Sequence, residues 1–70
     1  MEMVKAIVNG RQMTFPSNTN EQEIRRAGGI GTQRNLIQRR REGNFMVPRG
    51  SSVVVKDGDV FIDAPKRIKG

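Results

Sequence analysis

The feature that most constrains this chain is an Asn9-Gly10 pair that separates two β-prone runs, residues 4–8 and residues 11–15. Asn-Gly between such runs is the strongest short-range signal for a β-hairpin, because a type I′ turn needs a positive φ at both central residues. The chain is therefore predicted to begin with two antiparallel strands. Alternation places Met13 and Phe15 together on the core-facing side of the second strand.

A single short helix is predicted after the hairpin, over residues 19–27. Thr19 followed by Gln22 fits a capping box, in which the two side chains satisfy free N–H groups at the helix start. A Gly-Gly pair then supplies the left-handed residue that ends many helices. Only Ile24 and Ala27 offer apolar surface, so a helix this short needs a sheet beneath it.

Several short β-prone segments follow the helix, at residues 34–41, 45–47, 53–55 and 60–62. The order of hairpin, helix and strands predicts an α+β domain, with a mixed sheet of four or five strands and one helix packed across it. The domain is expected to span residues 1–63. Residues 64–70 are expected to form a flexible basic tail, in which Pro65 prevents the sheet from continuing.

The composition argues against catalysis and against a metal site. The 70 residues suffice for one domain, and they include no histidine and no cysteine, which removes the commonest general base, the thiol nucleophile and the usual zinc ligands. We therefore expect no enzyme activity, no metal and no cofactor. No apolar run is long enough for a membrane span or a signal peptide, which predicts a cytoplasmic protein without membrane contact.

The positive charge is concentrated in one segment. Between residues 25 and 49 there are seven arginines and one acid, Glu42, so this segment accounts for the whole net charge of +6. Clustered arginine favours an acidic protein or a polyanion as the partner. The alternative is a solvated basic face without a partner.

Three features in order resemble the β-grasp family: the hairpin at Val8-Asn9-Gly10-Arg11, the helix end at 24–29, and the segment 54–62 before a glycine-ended tail. Two branches are similar, the sulfur-carrier proteins of thiamine and molybdopterin synthesis and the bacterial ubiquitin-like domains. The resemblance covers residues 4–62 and the tail. It implies a ubiquitin-like fold, with Gly70 as a conjugation or carrier terminus and an activating enzyme as a partner. Both sulfur carriers and conjugated ubiquitins end in paired glycines, whereas this tail ends in one.

The leading prediction is a small ubiquitin-like protein-binding module or modifier. Alternation lets only one of Leu36 and Ile37 face the core, and the other would anchor an acidic, partly apolar partner, unless the loop at 31–33 buries both. The predicted docking residues are Ile37, Arg39, Arg41, Arg34 and Arg49. The alternatives are a nucleic-acid-binding module that uses the arginine face, or a sulfur-carrier-like protein.

Overall fold

A computed structural model describes residues 2–65; Met1 and residues 66–70, including Gly70, lie outside the described part. The elements in chain order are β1 (Met3–Val8), β2 (Arg11–Pro16), β3 (Asn18–Asn20), α1 (Glu21–Gly28), β4 (Arg34–Arg40), β5 (Gly43–Met46), β6 (Ser52–Val54) and β7 (Asp59–Pro65).

Five strands form one mixed sheet in the order β2-β1-β7-β4-β5, and β3 pairs with β6 in a separate two-stranded sheet. The central pair, β1 and β7, is parallel, and the other neighbours are antiparallel. The prediction of an α+β domain, with a mixed sheet of four or five strands and one helix, is confirmed. Within residues 2–65 no helix is long and apolar enough to cross a membrane.

The predicted hairpin is present, with the turn at the expected pair. Asn9 and Gly10 both have positive φ, 49° and 84°, as a type I′ turn requires. The turn is also tied to the centre of the sheet. The Asn9 backbone N–H donates to the carbonyl of Phe61 at 2.9 Å, and its side-chain oxygen accepts from the Asp63 N–H at 3.2 Å.

The helix begins later than predicted, and its cap is a different residue. Asn20 caps α1, because its Oδ1 accepts from the Glu23 backbone N–H at 2.9 Å. The predicted capping box at Thr19 was wrong, since Thr19 belongs to β3 and pairs with Val53 of β6. At the other end Gly29, with φ of 68°, is the predicted left-handed cap.

A buried ion pair ties the helix to two loops. Arg25 donates to Glu21 one turn earlier, and both side chains are almost fully buried. Glu21 Oε1 accepts from the Gly50 N–H at 3.0 Å, while Arg25 Nη1 donates to the Gly31 carbonyl at 2.7 Å. Burial is the main cause that lowers the pKa of Arg25, and the positive charge of Arg49 lowers it further. Each charged group thus has partners beyond its own helix, which burying a charge demands.

The core lies between the helix and one face of the sheet. Its buried residues are Val4, Ala6, Val8, Phe15, Ile24, Ile30, Leu36, Val47, Val53, Val55 and Phe61. The expectation that Ala27 is buried was wrong, because Ala27 is exposed. Ile30, just beyond the helix cap, packs into the core. Phe45 is 49% exposed because it lies on β5, the last strand of the sheet.

The last strand runs past the point where the sheet was expected to stop. Ala64 and Pro65 of β7 pair with Asn35 and Arg34 of β4. The expectation that Pro65 would block the sheet was therefore wrong. Pro65 is the last described residue of the strand, and its missing N–H does not interrupt the ladder that precedes it.

Gly28 packs the helix end against β1, which generates a stability prediction. A Cβ at Gly28 would overlap with Cγ1 of the buried Val8. We expect Gly28→Ala to lower the free energy of unfolding by about 1–3 kcal/mol, the usual effect of overpacking, although alanine is the better helix former. Urea unfolding measures the change. The double variant Gly28→Ala, Val8→Ala should be more stable than the sum of the two single destabilisations predicts, because the smaller side chain at residue 8 makes room for the new Cβ. If the two destabilisations simply add, this packing is contradicted.

Candidate partner-binding surface

Leu36 and Ile37 lie on opposite faces of the sheet, as strand alternation requires. Leu36 is fully buried beneath the helix. Ile37 is half-buried on the face away from the helix, which we call the open face. The loop at residues 31–33 is itself exposed, and Ile37 keeps part of its surface accessible. Ile37 is therefore the member of the pair that an external partner can reach.

Aliphatic side chains lie in two neighbouring register rows of the open face. In one row Ile37 pairs with Ile62 on one side and with Met46 on the other; in the next, Ile7 pairs with Val60, which is two residues before Ile62 on β7. We call these five residues the aliphatic strip. The strip crosses four strands, a width of about 14 Å at the usual strand spacing of about 4.8 Å. Met46 is 61% exposed, so the strip reaches solvent most fully at the β5 edge.

The charged residues of the sheet are separated between its two faces. The open-face positions of the five strands carry Lys5 and Arg39 and no carboxylate. The acids of β7, Asp59 and Asp63, alternate with the open-face residues and lie on the helix side. The strand positions of the open face thus carry positive charge only, but Asp57, in the turn before β7, lines a concavity with Lys5 and Ile7 at the β1 end of the strip.

The three consecutive arginines have different environments. The Arg40 side chain lies on the core side of the strand end, where Nη2 donates to Asp59 Oδ2 at 3.1 Å and to the Val54 carbonyl at 3.0 Å. Arg39 and Arg41 are exposed, and neither has an ion pair within residues 2–65. Their charge remains available to a partner.

Two of the predicted docking residues lie apart from this surface. Arg34 is on the helix side of β4, where Nε donates to Asp63 Oδ2 at 3.0 Å. Arg49 lies in the loop after β5 and donates to the carbonyl of Thr32. The structure thus brings together Ile37 and Arg39, places Arg41 at the end of the same strand, and separates Arg34 and Arg49 from them. Gly70 lies outside the described residues.

Most of the aliphatic strip was absent from the sequence prediction. Ile7, Val60 and Ile62 each alternate with a buried neighbour, and that pattern alone indicates an outward position. What the sequence does not contain is the strand order that places them beside Ile37. Residues 45–47 were predicted only as a short strand, and the exposure of Met46 depends on the position of that strand at the edge of the sheet.

An open notch of about 560 Å³ lies beyond the end of β4, between Arg39–Glu42 and the turn before β7. Its lining mixes four bases with three acids: Arg39, Arg40, Arg41, Lys56, Glu42, Asp57 and Asp59. Asp59 is engaged internally, since Oδ2 also accepts from the Lys56 backbone N–H at 2.9 Å. A lining of both signs does not select for an anion. Within residues 2–65 no group of three acidic side chains is placed to hold a metal ion.

Comparisons with protein-family models, curated proteins and solved structures found no match to this chain. Its function is therefore inferred from the geometry and charge of the surface.

The ion pair between Arg34 and Asp63 makes stability depend on pH. The hydrogen bond from Arg34, with the charge of the same side chain, lowers the pKa of Asp63, although partial burial opposes the shift. A carboxyl whose pKa is lower in the folded state stabilises the fold above its ordinary pKa of about 4, and this contribution disappears as the pH falls through the folded-state pKa.

We expect Asp63→Asn to be less stable than the parent at pH 7 by up to about 1 kcal/mol, because the pair is partly exposed. The difference should shrink as the pH falls below about 4. Urea unfolding at pH 7 and at pH 2–3 measures both values. The control is Glu42→Gln, because Glu42 is exposed and its side chain makes no hydrogen bond within residues 2–65. This variant should change stability little at either pH. A constant difference for Asp63→Asn across this range would contradict the assignment.

Proposed function

We propose that this chain is a β-grasp, ubiquitin-like domain that works by binding a protein partner on the open face of its sheet. In this proposal the domain carries out no chemistry of its own. The partner is acidic and partly apolar, and Ile37 is the central contact.

The order of the strands supports the fold proposal. Numbering only the five strands of the main sheet along the chain, their spatial order is 2-1-5-3-4. The first and last of them are parallel neighbours at the centre, and the helix comes between the second and the third. The resemblance to the β-grasp family implies this arrangement: a hairpin, a helix, a second antiparallel pair, and a last strand that lies at the centre of the sheet.

The aliphatic strip is the observation that carries the functional proposal. A contiguous apolar patch on the surface of a small domain is costly unless something covers it, and such patches mark interaction sites. Binding energy in protein interfaces concentrates on a few central, well-packed residues, and Ile37 lies at the centre of the strip between Ile62 and Met46.

The charge around the strip defines the chemistry of the partner. Lys5 and Arg39 border it, and Arg41 follows at the strand end. Asp57 lies beside Lys5 at the β1 end, so the unopposed positive charge is at the β4–β5 end of the strip. Complementary charge speeds encounter and excludes wrong partners more than it adds affinity. A partner that presents an aliphatic residue surrounded by carboxylates complements both the aliphatic strip and the positive charge beside it.

A protein partner fits the open face better than a nucleic acid does. Binding of single-stranded nucleic acid usually needs aromatic side chains on which bases stack. Phe15 and Phe61 are buried in the core, and Phe45 alternates with the open-face residues Asn44 and Met46. The open face therefore offers apolar contact and charge without a stacking surface.

Substitutions in the strip test the proposal. Tagged wild-type protein captures partners from a lysate of the source cell, and quantitative mass spectrometry compares it with Ile37→Asp and Met46→Asp. Val54→Asp is the matched control, because Val54 is 55% exposed on β6, outside the main sheet. Circular dichroism confirms that each variant is folded.

We expect at least one partner to be lost with both strip variants and retained with Val54→Asp. Calorimetry with that purified partner should show binding weakened at least about tenfold by Ile37→Asp, as for a central interface residue. If every captured protein is retained by both strip variants, or lost equally with the control, the open face is not the binding site.

A further inference from the structure

The two edges of the main sheet differ in how they are protected. β2 forms one edge, and it begins with the charged Arg11 and ends at Pro16. The exposed residues between them, Gln12 and Thr14, are polar. Charge, proline and polar side chains are the usual means of preventing an edge from pairing with another chain.

The opposite edge, β5, lacks these protections. Its four residues include neither a charge nor a proline. Phe45 is 49% exposed and Met46 is 61% exposed, so large apolar side chains project on both faces of the edge. An exposed apolar edge strand is a template for an added strand.

The backbone groups of β5 that point away from the sheet can be identified. The Val47 N–H donates to the Leu36 carbonyl at 2.8 Å, which makes these two residues a hydrogen-bonded pair. Hydrogen-bonded and non-hydrogen-bonded pairs alternate along an antiparallel ladder. Phe45 therefore bonds toward β4, and the N–H and C=O groups of Asn44 and Met46 point outward. Within residues 2–65 no strand lies on that side, because β5 is last in the sheet.

Charge changes along this edge from one end to the other. At the beginning of β5, Arg39 lies opposite Asn44 and Arg40 opposite Gly43, and Arg41 and Glu42 form the turn between β4 and β5. At its end, Met46 lies opposite Ile37 of the aliphatic strip. The exposed charges where β5 begins, two arginines and one acid, are thus net positive, and the edge is apolar where β5 ends. A second copy of this chain, with its own net charge of +6, is a poor match for it.

We propose that β5 binds an extended peptide segment of a partner protein as a sixth, antiparallel strand of the sheet. An antiparallel segment passes Met46 first and Gly43 last, so its aliphatic residues come before its carboxylates, which lie beside Arg39 and Arg41. In this mode backbone hydrogen bonds provide affinity, and alternate side chains provide selectivity. The inference rests on the proposed function, because it names how a protein partner reaches the surface that includes Met46.

A synthetic peptide with this pattern tests the inference. The acetylated and amidated hexapeptide Val-Ile-Val-Asp-Glu-Asp is titrated into the full ¹⁵N-labelled chain and followed by NMR. We expect the largest shifts at the amides of Asn44 and Met46. Two further versions of the peptide are N-methylated, one at its odd-numbered residues and the other at its even-numbered residues. Comparing their affinities separates backbone pairing from side-chain contact.

Only every second amide of an added strand faces β5. One N-methylated version should therefore lose at least tenfold in affinity, and the other should bind as the parent does. The reversed peptide, with its acids first, should bind at least threefold more weakly. The double variant Arg39→Glu and Arg41→Glu should weaken binding, whereas Arg11→Glu, an exposed arginine on the opposite edge, is the control and should bind the peptide within twofold of the parent chain.

Several results would overturn the inference. These are no binding at millimolar peptide, equal effects of the two N-methylated versions, or binding of a short single-stranded DNA at Arg39 and Arg41 without binding of the peptide. If any of them occurs while Ile37→Asp still loses its captured partner, the proposed function remains and only the edge-strand mode fails. If the peptide pairs as expected and Ile37→Asp retains every partner, the strip proposal fails instead.

Discussion

The parallel pairing of β1 with β7 is the interaction on which the rest of the structure depends. It joins the first and last strands of the chain at the centre of the sheet, yet it covers only three residue pairs, from Ala6–Asp59 to Val8–Phe61. Backbone bonds at both ends reinforce it: Asn9 N–H to the Phe61 carbonyl and Gly58 N–H to the Lys5 carbonyl, each at 2.9 Å. Without this pairing the hairpin and the β4–β5 ladder would be separate units, and Ile7 would not meet Val60.

Asp59 has a second organising role, because its carboxylate accepts three hydrogen bonds, one from the turn before β7 and two from β4. Oδ2 accepts from the Lys56 backbone, from Gln38 at 3.0 Å and from Arg40 at 3.1 Å. A buried carboxylate needs such partners to offset its lost hydration. This arrangement engages Arg40 on the core side of β4. Arg39 and Arg41 remain exposed and give the β4–β5 end of the surface its positive charge.

The aliphatic strip and the β5 edge form one continuous surface, since Met46 belongs to both. Side chains on the open face offer apolar contact, and the outward backbone groups of Asn44 and Met46 offer hydrogen bonds beside it. Arg39 lies beside both regions, because it is two residues from Ile37 on β4 and opposite Asn44 on β5. Apolar contact, outward backbone groups and positive charge thus lie within two neighbouring strands.

The sequence by itself determined the local elements, because their causes lie in adjacent residues. Asn9-Gly10 specified the turn through φ, Gly29 ended the helix, and alternation separated Leu36 from Ile37 and Arg40 from its neighbours. Only the tertiary structure decided features that depend on distant segments. Thr19 became a strand residue because Val53 pairs with it, Phe45 became exposed because its strand is last in the sheet, and Ile7, Val60 and Ile62 joined Ile37 through strand order. Strand order follows from long-range pairing, which no local pattern encodes.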